Sequence, residues 1–240
     1  AADLETGDNT VITGSSGATN DSVTITASGE DAADTVATSS RITNVNSITV
    51  KDAGDATSGS TGLSGSELTI DLASYGTALT IDASALDAAN KDDSGDGKIN
   101  ATDDSDEKLV ITGTSSKALT VTGGGGADTI IGSSDSATGD TLKGGGGDDT
   151  FTMAGNLTYT DTIDGGAGTD IITVGAATVT DVAFMKVSNA ETLTIDHTTT
   201  STITLGAYFS ASGISTVNVD TDAGDLSTVD AAGTTTGVKF

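Results

Sequence analysis

Three segments of this chain, GGGGADTII from Gly123, GGGGDDTFT from Gly144 and GGAGTDIIT from Gly165, fit one nonapeptide, G-G-x-G-x-D-x-U-x with U apolar. Their starts lie 21 residues apart both times. Weaker copies without the glycine pair fall between them and end in Asp140-Thr141-Leu142 and Asp161-Thr162-Ile163. The aspartates at 128, 140, 149, 161 and 170 are therefore separated alternately by 12 and 9 residues. One 21-residue turn must hold two short strands and two loops. A unit this short buries its apolar face only by stacking on its neighbours, so the period predicts a coiled parallel β-solenoid of the β-roll kind. A flexible Gly/Ser linker has no reason to keep Asp-x-aliphatic in step.

The residue types in the loops point to a hard cation. Calcium takes six to eight oxygens, and glycine reaches backbone angles that turn carbonyls toward an ion. One loop cannot surround the ion, but two loops on successive turns can. The spacing therefore places one ion between the loops carrying Asp128 and Asp149, and another between those carrying Asp149 and Asp170. The candidate ligands are Gly123, Gly125 and Asp128, then Gly144, Gly145, Gly146, Gly147 and Asp149, then Gly166, Gly168 and Asp170. Two places after each aspartate stands an apolar residue, Ile130, Phe151 or Ile172, which a strand points into the core.

A second metal motif spans residues 92–103, DDSGDGKINATD. Oxygen side chains at its positions 1, 3 and 5, glycine at 6, an apolar residue at 8 and a carboxylate at 12 follow the EF-hand calcium loop. Its candidate ligands are Asp92, Ser94, Asp96, the Lys98 carbonyl, Asn100 and Asp103, with Gly97 at the sharp turn. The motif resembles the loops of dockerin modules, which share Ile-Asn at positions 8 and 9. It departs from them at Ser94, occurs once, and runs through Asp104-Ser105-Asp106-Glu107 into the strand Leu109-Val110-Ile111 instead of a second helix. A calcium staple inserted on a solenoid loop fits these departures better than a cohesin-binding module. Ahead of it, Ser84 to Asn90 reads as a short helix capped by Ser84.

Composition explains why metal is needed. Leu, Ile, Val and Phe make up about a fifth of the chain, and the net charge is -26, on the border with intrinsic disorder. Calcium between carboxylates would relieve that self-repulsion. Only nine Lys and Arg are present, scattered singly, so there is no basic patch and nucleic acid and anionic membrane are poor partners. Cysteine is absent, which excludes disulfides and thiolate sites. No apolar run is long enough to insert in a membrane. The first residues do not resemble a signal peptide and the last run out in mid-pattern, as expected for a fragment of a longer chain.

Three regions follow. Residues 1–107 read as Thr/Ala-rich solenoid turns with strands at 10–13, 22–27, 42–51, 67–72 and 78–82 and the EF-hand-like loop. Asp21-Ser22-Val23 and Asp34-Thr35-Val36 echo the repeat without its glycines. Residues 108–175 form the calcium β-roll, which two strands within 108–122 lead into. Residues 176–240 read as further turns, with a short helix or loop over 180–187 whose Phe184 and Val187 cap the roll. Related strands at 44–50, 189–195 and 213–219 suggest solenoid turns on both sides of it.

Lys117-Ala118-Leu119-Thr120-Val121-Thr122, the three glycine-aspartate loops, and then Asn189-Ala190-Glu191-Thr192-Leu193 together resemble RTX-type bacterial surface-layer (S-layer) proteins. The resemblance covers roughly residues 108–220. It implies type I secretion without a cleaved N-terminal signal, folding on calcium outside the cell, and self-association into a lattice at the bacterial cell surface. Cell-surface polysaccharide is a further expected partner. An RTX adhesin that binds a surface, a glycan or ice is the alternative, because Thr-x-Thr arrays such as Thr198 to Thr204 suit it. For ice, Thr-x-Thr should recur in register, and it is not found on three consecutive 21-residue turns. Catalysis is not expected: His197 has no evident nucleophile beside it, and Tyr75, Tyr159 and Tyr208 are isolated in sequence.

Overall fold

The computed structural model describes residues 12–13, 22–27, 34–37, 42–43, 45–52, 67–71, 79–85, 108–113, 117–134, 137–153, 157–175, 178–196, 202–219, 228–235 and 237–240. In chain order the first strands are β1 Ile12–Thr13, β2 Ser22–Ala27, β3 Asp34–Ala37, β4 Ile42–Thr43, β5 Ser47–Asp52, β6 Glu67–Asp71 and β7 Leu79–Ala85. Through the repeats run β8 Lys108–Thr112, β9 Leu119–Thr122, β10 Thr129–Ile131, β11 Thr141–Gly146, β12 Thr150–Thr152, β13 Thr162–Ala167 and β14 Ile171–Val174. The last are β15 Thr178–Val179, β16 Val187–Ser188, β17 Thr192–Ile195, β18 Thr202–Thr204, β19 Thr216–Val219 and β20 Thr228–Asp230.

From β2 to β14 successive strands alternate between two parallel sheets, apart from β4, which pairs with β1 alone. One runs β19-β17-β14-β12-β10-β8-β6-β3 and the other β16-β13-β11-β9-β7-β5-β2. The chain is thus an all-β parallel solenoid, and both sheets continue across residues 107 and 175. In the repeats each strand pairs with the one a turn later: Thr120 lies opposite Thr141 and Thr141 opposite Thr162, while Thr129 lies opposite Thr150 and Thr150 opposite Ile171. This is the register that the 21-residue period requires.

Alternation along each strand makes the core. In β9, Leu119 and Val121 are buried between half-exposed threonines, and in β12 Phe151 is buried between Thr150 and Thr152. Stacking in register turns these positions into columns. Ile111, Ile130, Phe151, Ile172, Leu193 and Val217 form one, and Ile48, Ile81, Val121, Leu142, Ile163 and Val187 the facing one. Ile130, Phe151 and Ile172 fill the core as their spacing predicts.

Toward the C-terminal end a third, shorter sheet, β15-β18-β20, adds a further face. Asp181–Phe184 forms a 3-10 helix, and Phe184 and Val187 are buried. A five-residue helix, α1 Ala207–Ala211, packs on it, with Phe184 and Phe209 edge to face at 5.2 Å. The solenoid passes this point and continues through β17 and β19.

Some local expectations change. Ser84 and Ala85 complete β7, where Ala85 pairs with Lys51, instead of opening a helix; residues 86–90 lie outside the described residues. The strand expected over 42–51 divides into β4 and β5, which belong to different sheets. Of the three related strands, β17 and β19 pair in register, whereas β5 belongs to the other sheet. The motif at 92–103, with Asp92, Ser94, Asp96, Lys98, Asn100 and Asp103, lies outside the described residues, as do His197 and Thr198 to Ser201. The segment that carries it joins β7 to β8, strands of different sheets.

Candidate metal centre

The glycine-aspartate loops lie one above another on the edge where the chain crosses from the seven-stranded to the eight-stranded sheet. They connect β9 to β10, β11 to β12 and β13 to β14. Gly123, Gly125, Gly144, Gly145, Gly146, Gly147, Gly166 and Gly168 all belong to this stack, and Gly145 pairs with Gly166. Only glycine suits its tightest points. Gly145 and Gly166 have φ of 114° and 107°, and a β-carbon on either would collide with the carbonyl oxygen of the equivalent glycine a turn earlier.

The aspartates tie the turns together. Asp149 Oδ1 accepts the backbone N–H of Asp128 at 2.8 Å, Asp170 Oδ1 accepts that of Asp149 at 2.8 Å, and Asp128 Oδ1 accepts that of Leu109 at 2.8 Å. One oxygen of each carboxylate is thereby committed to the preceding turn. The ladder goes one step beyond the glycine loops, since Glu191 Oε2 accepts the N–H of Asp170 at 2.7 Å, again over 21 residues.

The second oxygens differ. Asp128 Oδ2 accepts the N–H of Gly124 at 2.9 Å. Asp149 Oδ2 and Asp170 Oδ2 are buried and receive no hydrogen bond. Each faces a glycine Cα that also faces a carbonyl oxygen from the following turn. At Gly144 the two are Asp149 Oδ2 and the Gly165 carbonyl, and at Gly165 they are Asp170 Oδ2 and the Asn189 carbonyl. A β-carbon on either glycine would collide with both oxygens. Acceptors converge here without a donor, an arrangement that costs free energy unless a proton or a cation joins them.

Electrostatics point the same way. Burial, and then the nearby carboxylates of Asp128, Asp170 and Asp148, push Asp149 up to about 8, against the hydrogen bond from the Asp128 N–H. Asp170 is raised by burial first and by Glu191, Asp148 and Asp164 next. Oxygens of this kind fit calcium. Among the described residues no three acidic or histidine side chains converge, so a cation on this edge would draw much of its shell from backbone carbonyls, as calcium commonly does.

The opposite edge carries the same ladder with its acceptors satisfied by protein. Asp161 Oδ1 accepts the Asp140 N–H and Asp140 Oδ1 the Leu119 N–H, both at 2.8 Å. Asp140 also takes the N–H and hydroxyl of Ser133, and Asp161 Oδ2 takes the N–H and hydroxyl of Thr158. Similar Asp-x-apolar sequences thus end in two different environments. Sequence reading missed Asn189 and Glu191 on the first edge; the signal was there, since Glu191 follows Asp170 at the repeat distance.

No protein-family model, curated protein or solved structure matches the chain.

Proposed function

We propose that this chain belongs to a structural cell-surface protein that folds on binding several calcium ions and assembles into an S-layer lattice. The observation that carries the calcium reading is the pair of buried, donorless carboxylate oxygens on Asp149 and Asp170, held against glycines in stacked loops. Calcium supplies the missing positive charge when bound. Asp149, Asp170 and the loop carbonyls would hold it, and the glycines keep room for it. Sites in extracellular calcium modules work at about 10⁻⁴ to 10⁻³ M, far above cytosolic levels, so the chain would stay unfolded before export and fold after it. The lattice, type I secretion, the cell-surface location and a polysaccharide anchor rest on the RTX S-layer resemblance, and the EF-hand-like loop at 92–103 would add another calcium. No reaction is assigned to the segment.

An adhesin is the second reading, and one surface favours it. The outward rows of β8, β10, β12, β14, β17 and β19 are Val110, Thr129, Thr150, Ile171, Thr192 and Thr216, beside Thr112, Ile131, Thr152, Thr173, Thr194 and Asn218. On so acidic a chain these two rows carry no charged residue. Strict Thr-x-Thr occurs at β12 and β17, with Ile171 breaking the array between them. Electron microscopy of the full-length protein with millimolar calcium separates the readings: ordered two-dimensional sheets that dissolve in chelator support the lattice, and their absence moves the adhesin ahead.

A further inference from the structure

The turn that closes the glycine stack carries none of the nonapeptide, yet it presents the same kinds of oxygen. Ser188 and Asn189 donate to Asp164 Oδ1 from their side chains, at 3.3 Å and 2.7 Å. Asn189 alone among the described non-glycine residues has a positive φ, 50°. The turn held this way leaves the Asn189 carbonyl oxygen facing Gly165, beside the donorless Oδ2 of the fully buried Asp170. Glu191 replaces the ladder aspartate with its Oε2 on the Asp170 N–H, and its negative charge lies close enough to act on the Asp170 carboxylate. We infer that Asp170, the Asn189 carbonyl and Glu191 form a further calcium site, between the third glycine loop and the Ser188–Glu191 turn.

The proposal rests on the calcium reading above but is separable from it. The nonapeptide spacing alone puts ions only between pairs of glycine loops, and stops at Asp170. A site one level further on would lock the repeats to the following turns, β16 and β17, which lack glycine loops. Water and loop carbonyls would complete a shell suited to calcium, which accepts variable numbers of oxygens, better than to magnesium, which demands an octahedron.

Crystals of the 240-residue chain grown with calcium and soaked with terbium give a direct test through anomalous scattering. A peak beside Asp170 Oδ2 and the Asn189 carbonyl is expected. Peaks between the glycine loops with none at this level would overturn the inference and leave the calcium reading standing; no peaks on this edge would remove both. In solution, Glu191→Gln retains an oxygen for the Asp170 N–H while losing the charge. Calorimetry should show one calcium step weakened about ten-fold or more with the remaining steps unchanged. If every step matches the parent protein, Glu191 is not a ligand. Should the variant fail to fold, the anomalous map of the parent protein decides.

Discussion

Gly145 and Gly146 are neighbours in one loop, yet they differ in what they tolerate. A methyl on Gly145 would meet the Gly124 carbonyl at a positive φ, whereas one on Gly146 would lie 3.6 Å from the nearest atom, the Gly125 carbonyl oxygen. Gly145→Ala should therefore lose about 1–3 kcal/mol of stability in saturating calcium, and Gly146→Ala should stay within about 1 kcal/mol of the parent; thermal melts of both check this. Asp149 carries a pH signature. Its folded value of about 8 stands above the unfolded 3.8, so without metal the folded state holds a proton that the unfolded chain releases. Its contribution is fully present below about 4 and is lost as pH rises through about 8. At a fixed, sub-saturating calcium level the fraction of β signal should fall between pH 5 and 8.5 in any calcium-free population, and Asp149→Asn should flatten that fall. An equal slope in the variant would mean that Asp149 is already ionised in the calcium-free fold.

At the scale of elements, the two edges of the roll are one ladder put to two uses. On the β10-to-β11 and β12-to-β13 edge, Ser133 and Thr158 donate to Asp140 and Asp161, so both oxygens of each carboxylate already have protein donors and need no cation. Asp140→Asn sets an amide NH2 against the N–H of either Leu119 or Ser133 and should cost about 1–3 kcal/mol, equally at high and at low calcium. Asp170→Asn, by contrast, should reduce the stabilisation that calcium confers. Denaturant titrations of both variants at two calcium levels distinguish the edges. The 21-residue period made the register of β9 to β14, their buried columns and the glycine stack legible in the sequence, whereas β8 pairs with β10 at an offset of 19. What it could not reveal depends on partners distant in sequence. Helix α1 has no side-chain cap of its own; Asp181 accepts the N–H groups of Tyr208 and Phe209 from 27 and 28 residues away. Likewise Ser84 and Ala85 carry helical propensity, but pairing along β5 keeps them in β7. The different environments of Asp149 and Asp140 were equally hidden, because they turn on whether a backbone N–H reaches the second oxygen, as that of Ser133 does for Asp140 and none does for Asp149.

For the whole molecule the decisive balance is charge against burial. A chain of net charge -26 with about a fifth of its residues large and aliphatic or Phe has only the narrow apolar layer between its sheets to set against that charge. Each turn contacts its neighbours alone, so loss of a few links should uncouple the stack and not merely loosen one loop. Cations on the glycine edge act where the carboxylates of Asp128, Asp148, Asp149, Asp164, Asp170 and Glu191 lie close together. The most direct test is far-ultraviolet circular dichroism of the chain during calcium titration after chelation, with calorimetry counting the ions. A cooperative gain of β signal with at least about three ions bound is the predicted result. Full β structure in chelator, unchanged as calcium is added, would contradict it and leave the glycine loops as turns alone.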